Sequence, residues 1–294
     1  MLQEHSLFDI FLLERGIEVY RFFEPVSLGR SHIHAEGKVN KSSHPLRRAT
    51  VIAVALWVLL IVGRTATFSH ANPSQTAATT TPDLLGGFRH VEVASVSDAL
   101  EQITGKRMYM SHRMRPLFTS KFAGYALTVH LRKQENHDPH ALDGMIQAID
   151  QGGPNSVWVM VVDDGADIAG MGGLMGTAMS ARNYAGAVID GGVRDVGYLQ
   201  KIGFPVFAMG IVPSTSVGHY VFDGSNRPVI CDDVLVHPGD IVVADSDGVA
   251  VVPRDQAQQV LTLAQDMYFK EHSMYSVIEK LKSLGEAIKQ FGRL

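Results

Sequence analysis

At 294 residues, 46% of them hydrophobic and 19% charged, the chain is long enough to bury one full core and to carry an extension. Its net charge of −4 excludes a general phosphate-backbone binder, which needs a basic face, so no nucleic-acid partner is expected. The single Cys231 excludes an intramolecular disulfide and a thiolate zinc cluster.

Residues 1–48 are an N-terminal extension with apolar patches, such as 7–13, and a polar end; no fold is assigned to them. Arg47-Arg48 then precedes an uncharged apolar run over 51–62. That run is short for a spanning helix and has the length of a signal-peptide core. Ser69-His70-Ala71 supplies small residues where a signal peptidase cuts, so residues 49–71 are expected to be a signal peptide or an uncleaved anchor, with a membrane tether through 49–64. The long upstream stretch points to a true start beyond Met1 or to the anchor. A twin-arginine signal and a buried helix of a soluble domain are the other readings. The expected location is exported or membrane-anchored, and cytoplasmic if the apolar segment is not a signal. Residues 72–83, rich in Ser, Thr, Ala and Pro, read as a linker.

The globular part is expected over 84–294. Residues 96–103 before Gly105 predict a helix with a glycine stop, and 122–129 predict a strand. His137-Asp138-Pro139-His140 contains metal-ligating residue types, but reads better as the start of a helix over 141–149, with Asp138 as its cap. Residues 156–163 are β-branched and apolar without polar alternation, which suits a strand covered on both faces. This strand is expected to feed the glycine loop at 170–176 directly.

In that loop, Gly170, Gly172, Gly173 and Gly176 permit a tight turn and close approach of a ligand. The following helix, to Asn183, would aim unpaired N–H groups and its positive end at an anion. A strand over 187–190 then leads to Arg194-Asp195, and ligand groups collect beyond the carboxyl ends of strands in open α/β sheets. Residues 197–202 predict a short helix and 205–209 another buried strand. Val229-Ile230-Cys231 predicts a strand in which the cysteine is a small core residue. Residues 241–244 and 249–252 predict a strand pair around Asp245-Ser246-Asp247-Gly248, with the aspartates at a solvated tip. From Asp255 the pattern is helical, with stripes through Val260, Ala264 and Met267 and through Met274, Ile278 and Leu281.

The blocks Gly172-Gly173-Leu174-Met175, Val188-Ile189-Asp190-Gly191-Gly192-Val193-Arg194-Asp195, Pro205-Val206-Phe207-Ala208, Pro238-Gly239-Asp240 and Asp247-Gly248-Val249 resemble the RraA-like family in order and spacing. That family includes 4-hydroxy-4-methyl-2-oxoglutarate aldolases and oxaloacetate decarboxylases. The resemblance implies an α/β fold, a compact layered α/β/β/α domain of the swivelling type with C-terminal helices, assembled as homotrimers or hexamers with sites between subunits. It also implies class II chemistry on a small 2-oxo acid with magnesium or manganese (Mg2+ or Mn2+). Under it, Gly172, Gly173, Leu174 and Met175 would present backbone amides to substrate. Arg194 would bind the carboxylate and keto oxygen, and Asp195 would hold the metal. Aldolases of this group carry acids where Gly173 and Tyr198 stand. A further metal ligand is expected from a neighbouring subunit, and Glu271 is the candidate.

Two other readings remain beside the lyase. A dinucleotide or S-adenosylmethionine site would use the glycine loop with Asp190, but lacks a glycine at Met175. A catalytically silent binding protein is the other, since some family members inhibit a ribonuclease. Arg194-Asp195 as a plain surface ion pair is the bland alternative.

Overall fold

The computed structural model describes residues 83–292. The N-terminal extension, the expected signal or anchor at 49–71 and nearly all of the linker lie outside the described residues. Among the described residues no helix is long and apolar enough to cross a membrane.

The chain enters through α1 (Leu84–His90) and α2 (Val93–Thr104). Helix α2 has no cap from its own Glu92. It stops at Gly105, whose left-handed φ of 65° a glycine adopts without strain. The short β1 (Arg115–Pro116) leads to β2 (Phe122–Lys133), α3 (Asp143–Gln151) and β3 (Ser156–Val162). Next come β4 (Ala169–Met171), α4 (Gly173–Ala181), β5 (Gly186–Val193), α5 (Val196–Lys201) and β6 (Val206–Ile211). Strands β7 (Tyr220–Ser225), β8 (Val229–Cys231), β9 (Val234–Val236), β10 (Ile241–Asp245) and β11 (Gly248–Val252) precede α6 (Ala257–Leu281) and α7 (Leu284–Phe291).

The main sheet runs β1-β6-β5-β3-β2-β10-β11, with β4 added beside β5 and β7 beside β2. Its middle, β2-β3-β5-β6, is parallel, and its outer pairs are antiparallel. Side-chain alternation along β3 explains the layers. Trp158, Met160 and Val162 face one core with α3, α4 and α5, while Val157 and Val159 face another. Along β10, Ile241 and Val243 face a third core under α1, α2 and α6, while Val242 and Ala244 join Val157 and Val159. The sheet is therefore curled, with one core inside the curl and helices over both outer flanks. Phe122 and Phe207, from β2 and β6, meet edge to face across that interior at 5.7 Å. Each fully buried aliphatic side chain here stabilises by about 1.5–3 kcal/mol, so the curl is held chiefly by burial. The layered α/β/β/α expectation and the C-terminal helices are found. In α6, Val260, Ala264 and Met267 pack into the core with α1 and α2.

Three local expectations are corrected. Strand β3 does not feed the glycine loop directly, because a one-turn 3-10 helix (Gly165–Asp167) and β4 intervene. Asp138 does not cap α3; its Oδ1 accepts the His140 N–H at 2.8 Å in a turn that ends before the helix. Asp245 is not at a solvated tip. It is buried, and its carboxylate accepts the Val93 N–H at 2.9 Å and the Asp247 N–H at 3.0 Å, so a strand end supplies the missing cap of α2.

Candidate active site

Strands β4 and β5 are parallel, with Met171 paired to Val193, so both leave the sheet at one rim. Beyond β4, Gly172 is extended and α4 begins at Gly173. Beyond β5, the Arg194 N–H donates to Met171 O at 3.0 Å, which holds the two exits together. Asp195 then adopts a left-handed φ of 58°, unusual for a non-glycine and tolerated best by Asn and Asp. Its carbonyl accepts from Tyr198 and Leu199 at the start of α5, and its side chain reaches α4 instead. Asp195 Oδ2 accepts the Gly173 N–H at 2.9 Å.

This approach requires glycine at 172. A Cβ there would stand 2.7 Å from Asp195 Oδ2 and 3.1 Å from Arg194 Cγ. The Leu174 and Met175 amides, in the first turn of α4, have no acceptor among the described residues. They and the positive end of the helix face an anion's position. Arg194 donates through Nη1 to Ser214 O at 3.2 Å, its only hydrogen bond from the side chain among the described residues. The Arg194 and Asp195 side chains are half exposed, and their nearest charged atoms are 4.0 Å apart. Such an exposed, long pair contributes about 0–1 kcal/mol at most, so stability does not account for their juxtaposition.

A cavity of about 180 Å³ is lined by Gly172, Gly173, Arg194 and Asp195 together with Thr215 and Ser216. Leu142 and Met145 close one side. The loop at 214–217 and these α3 residues were not among the sequence candidates. The polar run Ser214-Thr215-Ser216 after a buried strand was the available signal. Ser214 fixes the loop, because its Oγ accepts the Ala169 N–H at 3.0 Å and donates to Asp167 O at 2.8 Å.

The two positions that depart from the aldolase pattern face each other. A Cβ on Gly173 would lie 3.2 Å from Tyr198 Cδ1, so the tyrosine ring borders the space an acid at 173 would need. Glu271 lies on α6, accepts the Tyr275 hydroxyl at 2.8 Å and does not line this cavity. Among the described residues no group of three or more His, Cys, Asp or Glu could hold a metal, which includes His137 and His140. The Asp195 carboxylate does fit a weaker mode of binding. Oδ1 accepts no hydrogen bond among the described residues, and a hard ion such as magnesium takes one or two carboxylates and completes its shell with water and substrate oxygens.

Asp190 is not available to a ribose at the glycine loop. Its carboxylate accepts the Asp232 N–H at 2.7 Å and lines a different cavity with Asp163, Asp164 and Arg113, and burial pushes its carboxyl above the ordinary range. The dinucleotide reading fails on that geometry. Cys231 is fully buried, and burial pushes its thiol well up, away from nucleophilic use.

The molecule is thus a curled mixed α/β domain with an anion-receptive cavity where parallel strands end. The RraA-like family, described as Aldolase/RraA, matches residues 93–251, and the chain belongs to it. It is 28% identical over 186 residues to a provisional 4-hydroxy-4-methyl-2-oxoglutarate aldolase of Halalkalibacterium halodurans, covering 62% of this chain and 82% of that one. It is also 28% identical over 221 residues to protein DlpA of Legionella pneumophila, covering 72% of this chain but only 34% of DlpA. The crystal structure of RraAS2 of Streptomyces coelicolor, titled an unusual member of the RNase ES inhibitor RraA family, superposes with a TM-score of 0.59 at 26% identity. That match covers 67% of this chain and 97% of RraAS2.

Proposed function

We propose that the chain is a divalent-metal-dependent carbon–carbon lyase that cleaves a small 2-oxo acid to pyruvate. The observation that carries this reading is the convergence of the open Leu174 and Met175 amides, the Arg194 guanidinium and the Asp195 carboxylate on one cavity. The provisional aldolase names of several relatives support it at the level of the family.

In a 4-hydroxy-2-oxo acid the C3–C4 bond breaks. The C4 hydroxyl loses its proton and becomes a carbonyl, and the bonding pair passes to C3 and the 2-oxo group as an enolate. Protonation at C3 then gives pyruvate. In oxaloacetate the same pair is left behind as carbon dioxide departs. Arg194 offers a planar, permanently charged fork to the carboxylate and keto oxygen, and the amides of α4 face the same anion. Donors aimed at such developing charge contribute about 2.7–4 kcal/mol each. The Gly173 amide fixes the Asp195 carboxylate, which would hold magnesium or manganese through its other oxygen. When bound, the ion supplies charge dispersal for the enolate. A homotrimer or hexamer, with Glu271 of a neighbouring copy completing the site, belongs to the same proposal.

The test is pyruvate release by the full chain from 4-hydroxy-4-methyl-2-oxoglutarate and from oxaloacetate, with magnesium, manganese or EDTA. Release that requires metal is expected. No release with any metal would sink the lyase reading for these substrates and favour a binding role.

A further inference from the structure

The cavity at Arg194 continues into a second and larger one of about 390 Å³, within the size range of small-molecule sites. Leu142, Met145, Leu174, Met175 and Val217 line both, so the two form one continuous cleft. The added space is apolar, floored by Ile149 and Ala178 and flanked by Ile146. Leu174 is 90% exposed, Val217 65% and Ile146 55%, a high exposure for large apolar side chains meeting at one concavity. The charged residues lining this extension are all acidic, namely Asp138, Asp143 and Asp150. Asp150 is paired with Arg182 and Asp143 with His140, and neither partner lines the cleft. Along the whole cleft Arg194 is the sole lysine or arginine.

We infer that the site takes a 2-oxo monocarboxylic acid with an aliphatic tail, its head on Arg194 and its tail along Leu142, Ile146 and Ala178. This rests on the lyase reading for its head group and adds the tail. A second carboxylate, as in a 2-oxo dicarboxylic acid, would find no cation at the far end. It would meet apolar surface and three carboxylates, so charge opposes that occupant while burial favours a hydrocarbon chain. The favoured cleavage substrate is accordingly a 4-hydroxy-2-oxo acid bearing an alkyl group at C4. Breaking C3–C4 in it, with loss of the C4 hydroxyl proton and protonation at C3, yields pyruvate and an aldehyde, without added oxidant or reductant.

The experiment is calorimetric titration of the full chain with pyruvate, 2-oxooctanoate and 2-oxoglutarate, in magnesium buffer, beside Ile146→Lys. Ile146 is outside the catalytic machinery and exposed enough to accept lysine. The expected result is 2-oxooctanoate binding at least about tenfold more tightly than either other acid, since several methylenes leave water. In Ile146→Lys that preference should fall or reverse toward 2-oxoglutarate while pyruvate binding is unchanged. Equal or weaker binding of 2-oxooctanoate, or an unaltered preference in Ile146→Lys, would overturn the tail assignment. Because binding is read without turnover, a tail preference with no pyruvate release from any substrate would sink the lyase reading and leave the cleft's ligand class standing.

Discussion

The Gly173 amide donates to the Asp195 carboxylate at 2.9 Å, which ties the first residue of α4 to the second residue beyond β5. One strand exit thereby orients the acid of the other. The link uses one carboxylate oxygen and leaves the other for a ligand. Gly172 sits against the same carboxylate, and its missing side chain is what lets the two exits close.

Gly172→Ala should therefore damage the site more than the fold. A methyl group 2.7 Å from Asp195 Oδ2 must push the carboxylate away. A misplacement of that order typically costs about 100-fold in rate. Steady-state kinetics should register a drop in kcat of at least tenfold, with a melting temperature within a few degrees of wild type.

Arg194→Lys should lose most activity although the charge is kept. An ammonium cannot present two parallel donors to a carboxylate and keto oxygen. The expected loss in kcat/KM is about 10- to 100-fold, an estimate consistent with the strength of charge-assisted bidentate bonds. Circular dichroism should be unchanged, since the side chain makes a single hydrogen bond, to Ser214 O, among the described residues.

Asp245→Ala should be the converse case, a stability loss without a kinetic signature. The buried carboxylate caps α2 from a strand end and also holds the Asp247 amide. Losing it leaves two N–H groups unsatisfied, at a cost of about 1–3 kcal/mol. Thermal unfolding should fall by several degrees, while KM for any 2-oxo acid stays the same.

Alkaline stability should depend on Tyr184. Its hydroxyl is buried and donates to Ile149 O at 2.8 Å, and burial pushes its pKa from 10.0 to about 12. The unfolded chain therefore loses this proton first as pH rises. The stabilisation is complete below about pH 10 and is lost between about 10 and 12, amounting to about 2–3 kcal/mol at about 1.4 per unit. Urea midpoints measured from pH 8 to 12 should show this step in wild type. Tyr184→Phe should lack the step and be about 1 kcal/mol less stable at neutral pH.

The elements that position the cavity could be read along the chain because their signals are local. The unbroken apolar run of β3 and the glycines before a small-residue helix each declare themselves within ten residues. Arg194-Asp195 could be placed on the same rim as Gly172 because parallel strands share a direction. What escaped depends on partners distant in sequence. Asp245 reads as a turn residue until Val93, 152 positions away, is seen to need its carboxylate. Ser214 and Met145 reach the cavity from separate segments, and no periodicity marks that convergence. The apolar extension of the cleft is assembled from α3, α4 and the loop at 217, so no single stretch announces it. The contact of Gly173 with Tyr198 relates two departures that look independent in the sequence.

The most direct test of the lyase account compares wild type with Asp195→Asn for pyruvate formation in saturating magnesium. Asparagine tolerates the left-handed φ of 58° and can still accept the Gly173 amide, so the fold and the rim should survive. Only the carboxylate charge is removed. The account predicts metal-dependent release by wild type and a loss of at least about 100-fold in the variant, in line with removal of a principal electrostatic group. Equal rates in the two proteins, or release by wild type that EDTA does not diminish, would contradict it.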